Sequence, residues 1–81
     1  MKIHVRLFAA AQQLAAQDSL IVECQDGATV ADLKAALATT APALESLLNH
    51  VRFAVNAEYV DDQTKLSADD EVACIPPVSG G

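Results

Sequence analysis

The residues of this chain best suited to chemistry are the two glycines at its carboxyl end, Gly80 and Gly81. Glycine has no Cβ atom, so two glycines in succession can lie extended in a channel too narrow for any other side chain. Such a tail could carry the main-chain carboxylate of Gly81 away from a folded body and into the active site of another protein. On this interpretation the functional group belongs to the main chain and not to any side chain.

The alternative interpretation is that the diglycine is incidental, because chain ends are often rich in small residues. The residues just before it favour a functional tail. Pro76 and Pro77 have a fixed φ and lack an N–H donor, so they would end a strand and stiffen the point where the tail leaves the domain. The sequence therefore predicts one domain over residues 1–75, followed by an extended, flexible tail over residues 76–81.

Other reactive side chains are few and poorly spaced for catalysis. Cys24 and Cys74 lie far apart without a CxxC motif, and with His4 and His50 they form no metal-ligand spacing. Both cysteines fall in apolar, strand-like segments, which is typical of buried thiols that act as small hydrophobic residues. We therefore predict no metal site and no catalytic triad on this chain.

Composition restricts the classes of partner. The 81 residues suit one domain, and the net charge of −6 argues against a nucleic-acid-binding protein, which would need a basic surface. The same acidity would suit a partner with a basic docking surface. No apolar run approaches the roughly 18 residues of a membrane helix, and the first residues lack a signal-peptide pattern. We expect a soluble, cytoplasmic protein that does not bind membranes.

Hydrophobic periodicity predicts the elements that would position the tail. Apolar and polar residues alternate over residues 2–8, with Ile3, Val5 and Leu7 on one face, which indicates a half-buried strand. Further strands are predicted over residues 19–25, 51–56, 59–60 and 71–75, and a short helical connection over residues 9–16. The main helix is predicted over residues 30–40, with Thr29 as its N-cap and Asp32 completing a shortened capping box. Pro42 suits the first turn of another short helix.

The order of these elements predicts an α+β fold. A single long helix between two pairs of strands fits a mixed sheet with one main helix packed on one face, which is a β-grasp (ubiquitin-like) roll. The helix lies in the crossover, so the first and last strands can pair in parallel.

Strand parity then predicts a surface near the tail. Phe8 at the end of the first strand and Ile75 at the end of the last would lie side by side on the uncovered face of the sheet. Together with Ala54 and Ala73 they would form an apolar patch, which usually indicates a partner-binding surface. The alternative is that these are scattered exposed apolar residues, which are common on protein surfaces.

Three segments of the chain resemble those of the small subunits of molybdopterin synthases, which are ubiquitin-like sulfur carriers. These segments are Ala54–Asn56, Leu66–Val72 and the Pro-Pro-Val-Ser-Gly-Gly ending at residues 76–81, and the likeness covers essentially the whole chain. The resemblance implies that an activating enzyme adenylates Gly81 with ATP and that sulfur then replaces the adenylate, leaving a thiocarboxylate. It also implies that this sulfur is added to cyclic pyranopterin monophosphate, with Gly80 as the spacer that lets the tail thread.

The resemblance further implies the partners. They are the large, catalytic subunit of the synthase and the adenylating enzyme, so this chain would bind no cofactor itself and would serve as a sulfur-donating, non-catalytic subunit. Phe8, Ile75 and the tail residues Pro76, Pro77, Val78 and Ser79 would bind these partners. Because a dithiolene needs two sulfurs, a heterotetramer of two small and two large subunits is expected. Three alternatives remain open: a carrier for another pathway such as thiazole synthesis, a ubiquitin-like protein modifier, and an interaction module with an incidental diglycine.

Overall fold

A computed structural model describes residues 1–77 of the chain. Within these residues the helices are α1 (Ala9–Ala15), α2 (Val30–Thr40) and a short 3₁₀ helix (Pro42–Leu44). The strands are β1 (Lys2–Leu7), β2 (Ser19–Glu23), β3 (Arg52–Val55), β4 (Glu58–Val60) and β5 (Glu71–Ile75).

The strands form one mixed sheet in the order β2-β1-β5-β3-β4. The parallel pair is β1 with β5, in a register that places His4 opposite Glu71 and Leu7 opposite Cys74. The other pairs, β1 with β2, β3 with β4 and β3 with β5, are antiparallel. This topology, with α2 in the crossover between the two halves, confirms the predicted β-grasp roll and its parallel pairing of first and last strands.

One face of the sheet is buried under the helices. Strand β1 alternates strictly between exposed and buried residues, and the side chains of Ile3, Val5 and Leu7 are at most 2% exposed. The facing stripe of α2 consists of Val30, Leu33 and Leu37, as the spacing of these residues predicts. Burial of this apolar surface is the main source of stability for a chain of this size.

The main helix begins with the predicted capping box. The backbone N–H of Thr29 donates to Oδ2 of Asp32 at 2.9 Å, and the backbone N–H of Asp32 donates to Oγ1 of Thr29 at 3.3 Å. Two N–H groups that the helix itself cannot satisfy are thereby paired.

The boundaries of four strands differ from the predicted ones. Strand β1 ends at Leu7 and not at residue 8, because the chain turns into α1 through Ala9, which has a φ of 50°. Phe8 is still extended, and its N–H donates to the carbonyl oxygen of Cys74 at 3.3 Å, so it stays beside β5. Strand β2 is shorter than predicted and ends at Glu23. Strand β3 covers Arg52–Val55 instead of residues 51–56, and β4 begins at Glu58 instead of residue 59. Among residues 1–77 no helix combines the length and the apolar character needed to cross a membrane.

Candidate partner-binding site

The site is built around β5, the strand that leads into the tail. This strand lies between β1 and β3, and its last residue, Ile75, directly precedes Pro76 and Pro77. Pro76 is buried and Pro77 is exposed. The predicted roles of both prolines in partner binding stay predictions. Val78, Ser79, Gly80 and Gly81, which carry the rest of the predicted site, lie outside the described residues.

The open face of the sheet beside this exit carries an apolar patch. Phe8, Ala54, Ala73 and Ile75, which strand parity places together, line one groove of about 330 Å³. The register explains this, since Ala73 of β5 lies directly opposite Ala54 of β3. These residues therefore meet on one surface, as strand parity predicts, and the role of that surface in partner binding stays a prediction.

Tyr59 also belongs to this patch, although the sequence analysis did not predict it. It lies in β4 opposite Ala54, lines the same groove and is 56% exposed, against 37% for Phe8. The signal was present in the sequence, because a two-residue turn at Asn56 and Ala57 fixes which residues of β3 and β4 share a face. We call the set Phe8, Ala54, Tyr59, Ala73 and Ile75 the sheet patch.

Two arginines flank the sheet patch. The guanidinium carbon Cζ of Arg6 lies 5.3 Å from the centre of the Phe8 ring, and Cζ of Arg52 lies 3.9 Å from the centre of the Tyr59 ring. Both distances are within the range of cation–π contacts. The local charge at the patch is therefore not that of the whole chain. The expectation of a basic docking partner was drawn from net charge alone and takes no account of these two arginines.

The start of β5 is held by a hydrogen-bonded loop. The side-chain amide of Asn56 donates to Oδ1 of Asp70 at 3.0 Å, and its Oδ1 accepts the backbone N–H of Glu71 at 3.0 Å. The other carboxylate oxygen of Asp70 accepts the backbone N–H of Ser67 at 2.7 Å. These bonds tie the β3–β4 turn to the first residue of β5, which fixes the strand from which the tail leaves.

The two cysteines have little nucleophilic character. Cys74 is fully buried, and burial raises the pKa of its thiol to about 11, with a smaller opposing effect of the Lys34 charge. Cys24 is half-buried, and burial raises the pKa of its thiol as well, against the opposing charge of the N-terminal ammonium. The thiolate is the reactive form of cysteine, so both thiols are poorly suited to attack. Within residues 1–77 no group of three histidine, cysteine or carboxylate side chains could hold a metal ion.

Comparison with known proteins identifies the family. Residues 5–81 match the ThiS family. This chain belongs to the ThiS family. It is 43% identical to a molybdopterin synthase sulfur carrier subunit of Chlamydomonas reinhardtii, over 100% of both chains.

Solved structures share the fold of this ThiS-family chain. The crystal structure of SAMP1 from Haloferax volcanii, small archaeal modifier protein 1, superposes with a TM-score of 0.89 at 34% identity and covers 100% of both chains. A complex of subunits 1 and 2 of the molybdopterin-converting factor from Helicobacter pylori contains a chain of the same fold, with a TM-score of 0.71 at 23% identity and full coverage of both chains. These likenesses confirm the β-grasp fold.

Proposed function

We propose that this ThiS-family chain is the sulfur carrier subunit of a molybdopterin synthase. The observation that carries the proposal is the likeness to the Chlamydomonas reinhardtii carrier subunit, which spans both chains from end to end. Gly80 and Gly81 fall within the residues that match the family. The carrier group is the main-chain carboxyl of Gly81, and Gly80 is the spacer that lets it enter a narrow site.

The proposed cycle follows from the chemistry of a carboxylate. A carboxylate is a poor electrophile, and its attack on the α-phosphorus of ATP gives an acyl adenylate and pyrophosphate, which supplies AMP as a leaving group. A sulfur nucleophile then displaces AMP and leaves a thiocarboxylate on Gly81. This sulfur is ionised near neutral pH and nucleophilic, in line with the reactivity of thiolates. The sulfur finally attacks a carbon of cyclic pyranopterin monophosphate and displaces an oxygen substituent. Water then hydrolyses the resulting thioester, which leaves the sulfur on the pterin and regenerates the carboxylate of Gly81.

Two partner proteins carry out these steps. An activating enzyme binds the ATP and forms the adenylate, and the large subunit of the synthase takes in the tail and binds the pterin. The sheet patch suits both contacts, because it is an apolar surface directly beside the strand that leads to the tail. Assembly of subunits 1 and 2 in the Helicobacter pylori complex supports a large-subunit partner.

We propose a heterotetramer of two small and two large subunits, since a dithiolene takes two sulfurs. We also propose a cytoplasmic location, where the free thiols of this chain would stay reduced.

The test of this function is to block the carboxyl group of Gly81. A chain with one alanine added after Gly81 is incubated with the activating enzyme, ATP, a sulfur source, the large subunit and the pterin precursor, and molybdopterin is measured. We expect no product from the extended chain and full product from the unextended one, while both bind the large subunit through the sheet patch. Undiminished product from the extended chain would contradict the proposal.

A second candidate function is protein modification. It is favoured by the likeness to SAMP1 of Haloferax volcanii, whose name describes it as a modifier. If the chain is also a modifier, lysine side chains of cellular proteins will carry it through Gly81. Mass spectrometry of tryptic digests would then detect branched peptides in cells that express the chain and none in cells that express the extended chain.

The phenotype of a deletion strain distinguishes a carrier role in thiazole synthesis from the two functions above. Deletion of the gene would then cause a requirement for thiamine, whereas the proposed role predicts loss of molybdenum-enzyme activity without that requirement.

A further inference from the structure

We infer that Arg6 and Arg52 are specificity-determining residues of the sheet patch, and that the patch accepts a protein surface that presents carboxylates on either side of an apolar side chain. The inference rests on the proposed function for the existence of a docking partner. It goes beyond that function by stating which chemistry the partner must offer and which residues of this chain recognise it.

The position of the two arginines comes from the sheet register. Arg6 in β1 lies opposite Ala73 of β5, and Arg52 in β3 lies opposite Ile75 of β5. Because β5 runs between β1 and β3, the two guanidiniums stand on opposite sides of the strand that leads into the tail. Arg6 lines the groove, and Arg52 lies beside it over the ring of Tyr59.

The geometry of each guanidinium leaves its hydrogen-bonding edge available. Arg52 stacks on Tyr59 with its Cζ 3.9 Å from the ring centre, and Arg6 approaches Phe8 to 5.3 Å. A guanidinium that stacks through its flat face keeps its in-plane N–H donors free, and their fork matches the two oxygens of a carboxylate. Within residues 1–77 the ion pairs join the N-terminal ammonium to Asp26 and Lys34 to Asp62, so neither arginine is paired in this part of the chain.

The charge around the groove differs from the acidic character of the whole chain. The net charge is −6, yet the chain has only two arginines and both flank the sheet patch. Glu71, which lies opposite His4, is the one carboxylate that lines the groove. Asp18 lies in a neighbouring pocket with Arg6, and Glu23 lies opposite Lys2 at the far edge of the sheet. At the groove itself, two guanidiniums therefore accompany a single carboxylate.

Desolvation turns this local charge into a requirement on the partner. A protein that covers the sheet patch also removes water from Arg6 and Arg52, and an unpaired buried charge is costly. A partner that places a carboxylate opposite each guanidinium offsets that cost with charge-assisted hydrogen bonds. A neutral or basic surface does not offset the desolvation cost. Complementary charge therefore determines which partner binds, and it also speeds association.

The test compares variants of these arginines in binding the purified large subunit and the purified activating enzyme. The variants are Arg6→Gln, Arg52→Gln and the double variant, with Lys65→Gln as the matched control, since Lys65 is exposed and lies outside the groove. Affinity is measured by titration calorimetry at low and high salt. Far-ultraviolet circular dichroism and thermal unfolding establish that each variant is folded.

We expect each single variant to bind at least one of the two proteins about tenfold more weakly than the wild type. The double variant should bind that protein about 100-fold more weakly. Lys65→Gln should leave the affinity within about twofold of the wild type. Added salt should weaken the wild type more than the double variant, because screening acts on the charge pairs.

The outcomes separate this inference from the proposed function. If the wild-type chain binds both proteins and the double variant binds them equally well or more tightly, the inference is overturned and the proposed function stands. If the wild-type chain binds neither protein, both are overturned. If the chain instead self-associates and the double variant does not, the occupant of the sheet patch is a second copy of this chain, and the partner chemistry inferred above is wrong.

Discussion

At the scale of single residues, the side chains of this protein prepare a surface and the proposed chemistry takes place on a main-chain carboxyl group. Cys74 illustrates the division, because it lies in β5, close to the tail, and yet is fully buried with the pKa of its thiol raised to about 11. Its sulfur is therefore part of the core, as the apolar sequence around it predicts. The reactive sulfur of the proposed cycle has to be brought to Gly81 from outside.

The buried thiol of Cys74 predicts a loss of stability at alkaline pH. The pKa of this thiol is about 11 in the folded chain and about 9 in the unfolded chain. Its contribution to the free energy of unfolding is therefore complete below the unfolded pKa and is lost as the pH rises through the folded pKa. We expect this contribution to fall by on the order of 2 kcal/mol between about pH 8 and pH 11. Urea unfolding measures it, and Cys74→Ala removes only the part of the pH dependence that belongs to this thiol. Parallel curves for the two proteins would contradict the assignment.

Phe8 allows a direct test of the sheet patch. It is 37% exposed, so Phe8→Asp should leave the fold intact while weakening binding to both proposed partners by about 10- to 100-fold. Leu14→Asp is the matched control, because Leu14 is 47% exposed on α1 and does not line the groove. Equal loss of affinity from the two variants, measured by calorimetry, would show that the sheet patch has no special role.

At the scale of elements, local sequence signals predict most of the structure because they act within a few residues. Three such signals each lie within a single helix or strand. They are the capping box of Thr29 and Asp32, the buried stripe of Val30, Leu33 and Leu37, and the alternation of β1. The ends of β1 and β2 are predicted less well, because they depend on a left-handed Ala9 and on pairing partners distant in sequence. An alanine carries no signal for positive φ, and pairing lengths follow from tertiary contacts.

The turn between β3 and β4 predicts a stabilising substitution. Asn56 and Ala57 have φ values of 51° and 70°, a combination that favours asparagine followed by glycine. Ala57→Gly removes the strain of a Cβ in this conformation, and we expect the free energy of unfolding to rise by about 0.5–1 kcal/mol. The same substitution at Ala35, exposed in the middle of α2, should lower it by about 1 kcal/mol. Urea denaturation of both variants measures this, and destabilisation by Ala57→Gly would contradict the turn geometry.

The cap of α2 predicts the opposite effect. Thr29→Ala removes the hydroxyl that accepts the N–H of Asp32, and we expect a loss of about 1 kcal/mol in the free energy of unfolding. Thr29→Ser keeps that acceptor and should recover most of the loss. If serine and alanine destabilise the protein equally, the hydroxyl makes no contribution at this position.

At the scale of the whole molecule, the β-grasp topology places docking and delivery next to each other. The strand that leads to the tail lies between β1 and β3, and the open face beside it carries the sheet patch between two arginines. The order of elements was enough to predict the parallel pairing of β1 and β5, and strand parity then located Phe8 and Ile75. The sign of the charge on this face could not be obtained from net charge, since −6 is a sum over residues that the fold places on different surfaces.

The measurement that tests the central claim most directly is the intact mass of the protein after incubation with ATP, a sulfur source and the activating enzyme. The proposed carrier function predicts a gain equal to one oxygen replaced by one sulfur, located on Gly81 by fragmentation. No change in mass, with an activating enzyme that loads another carrier under the same conditions, would contradict it.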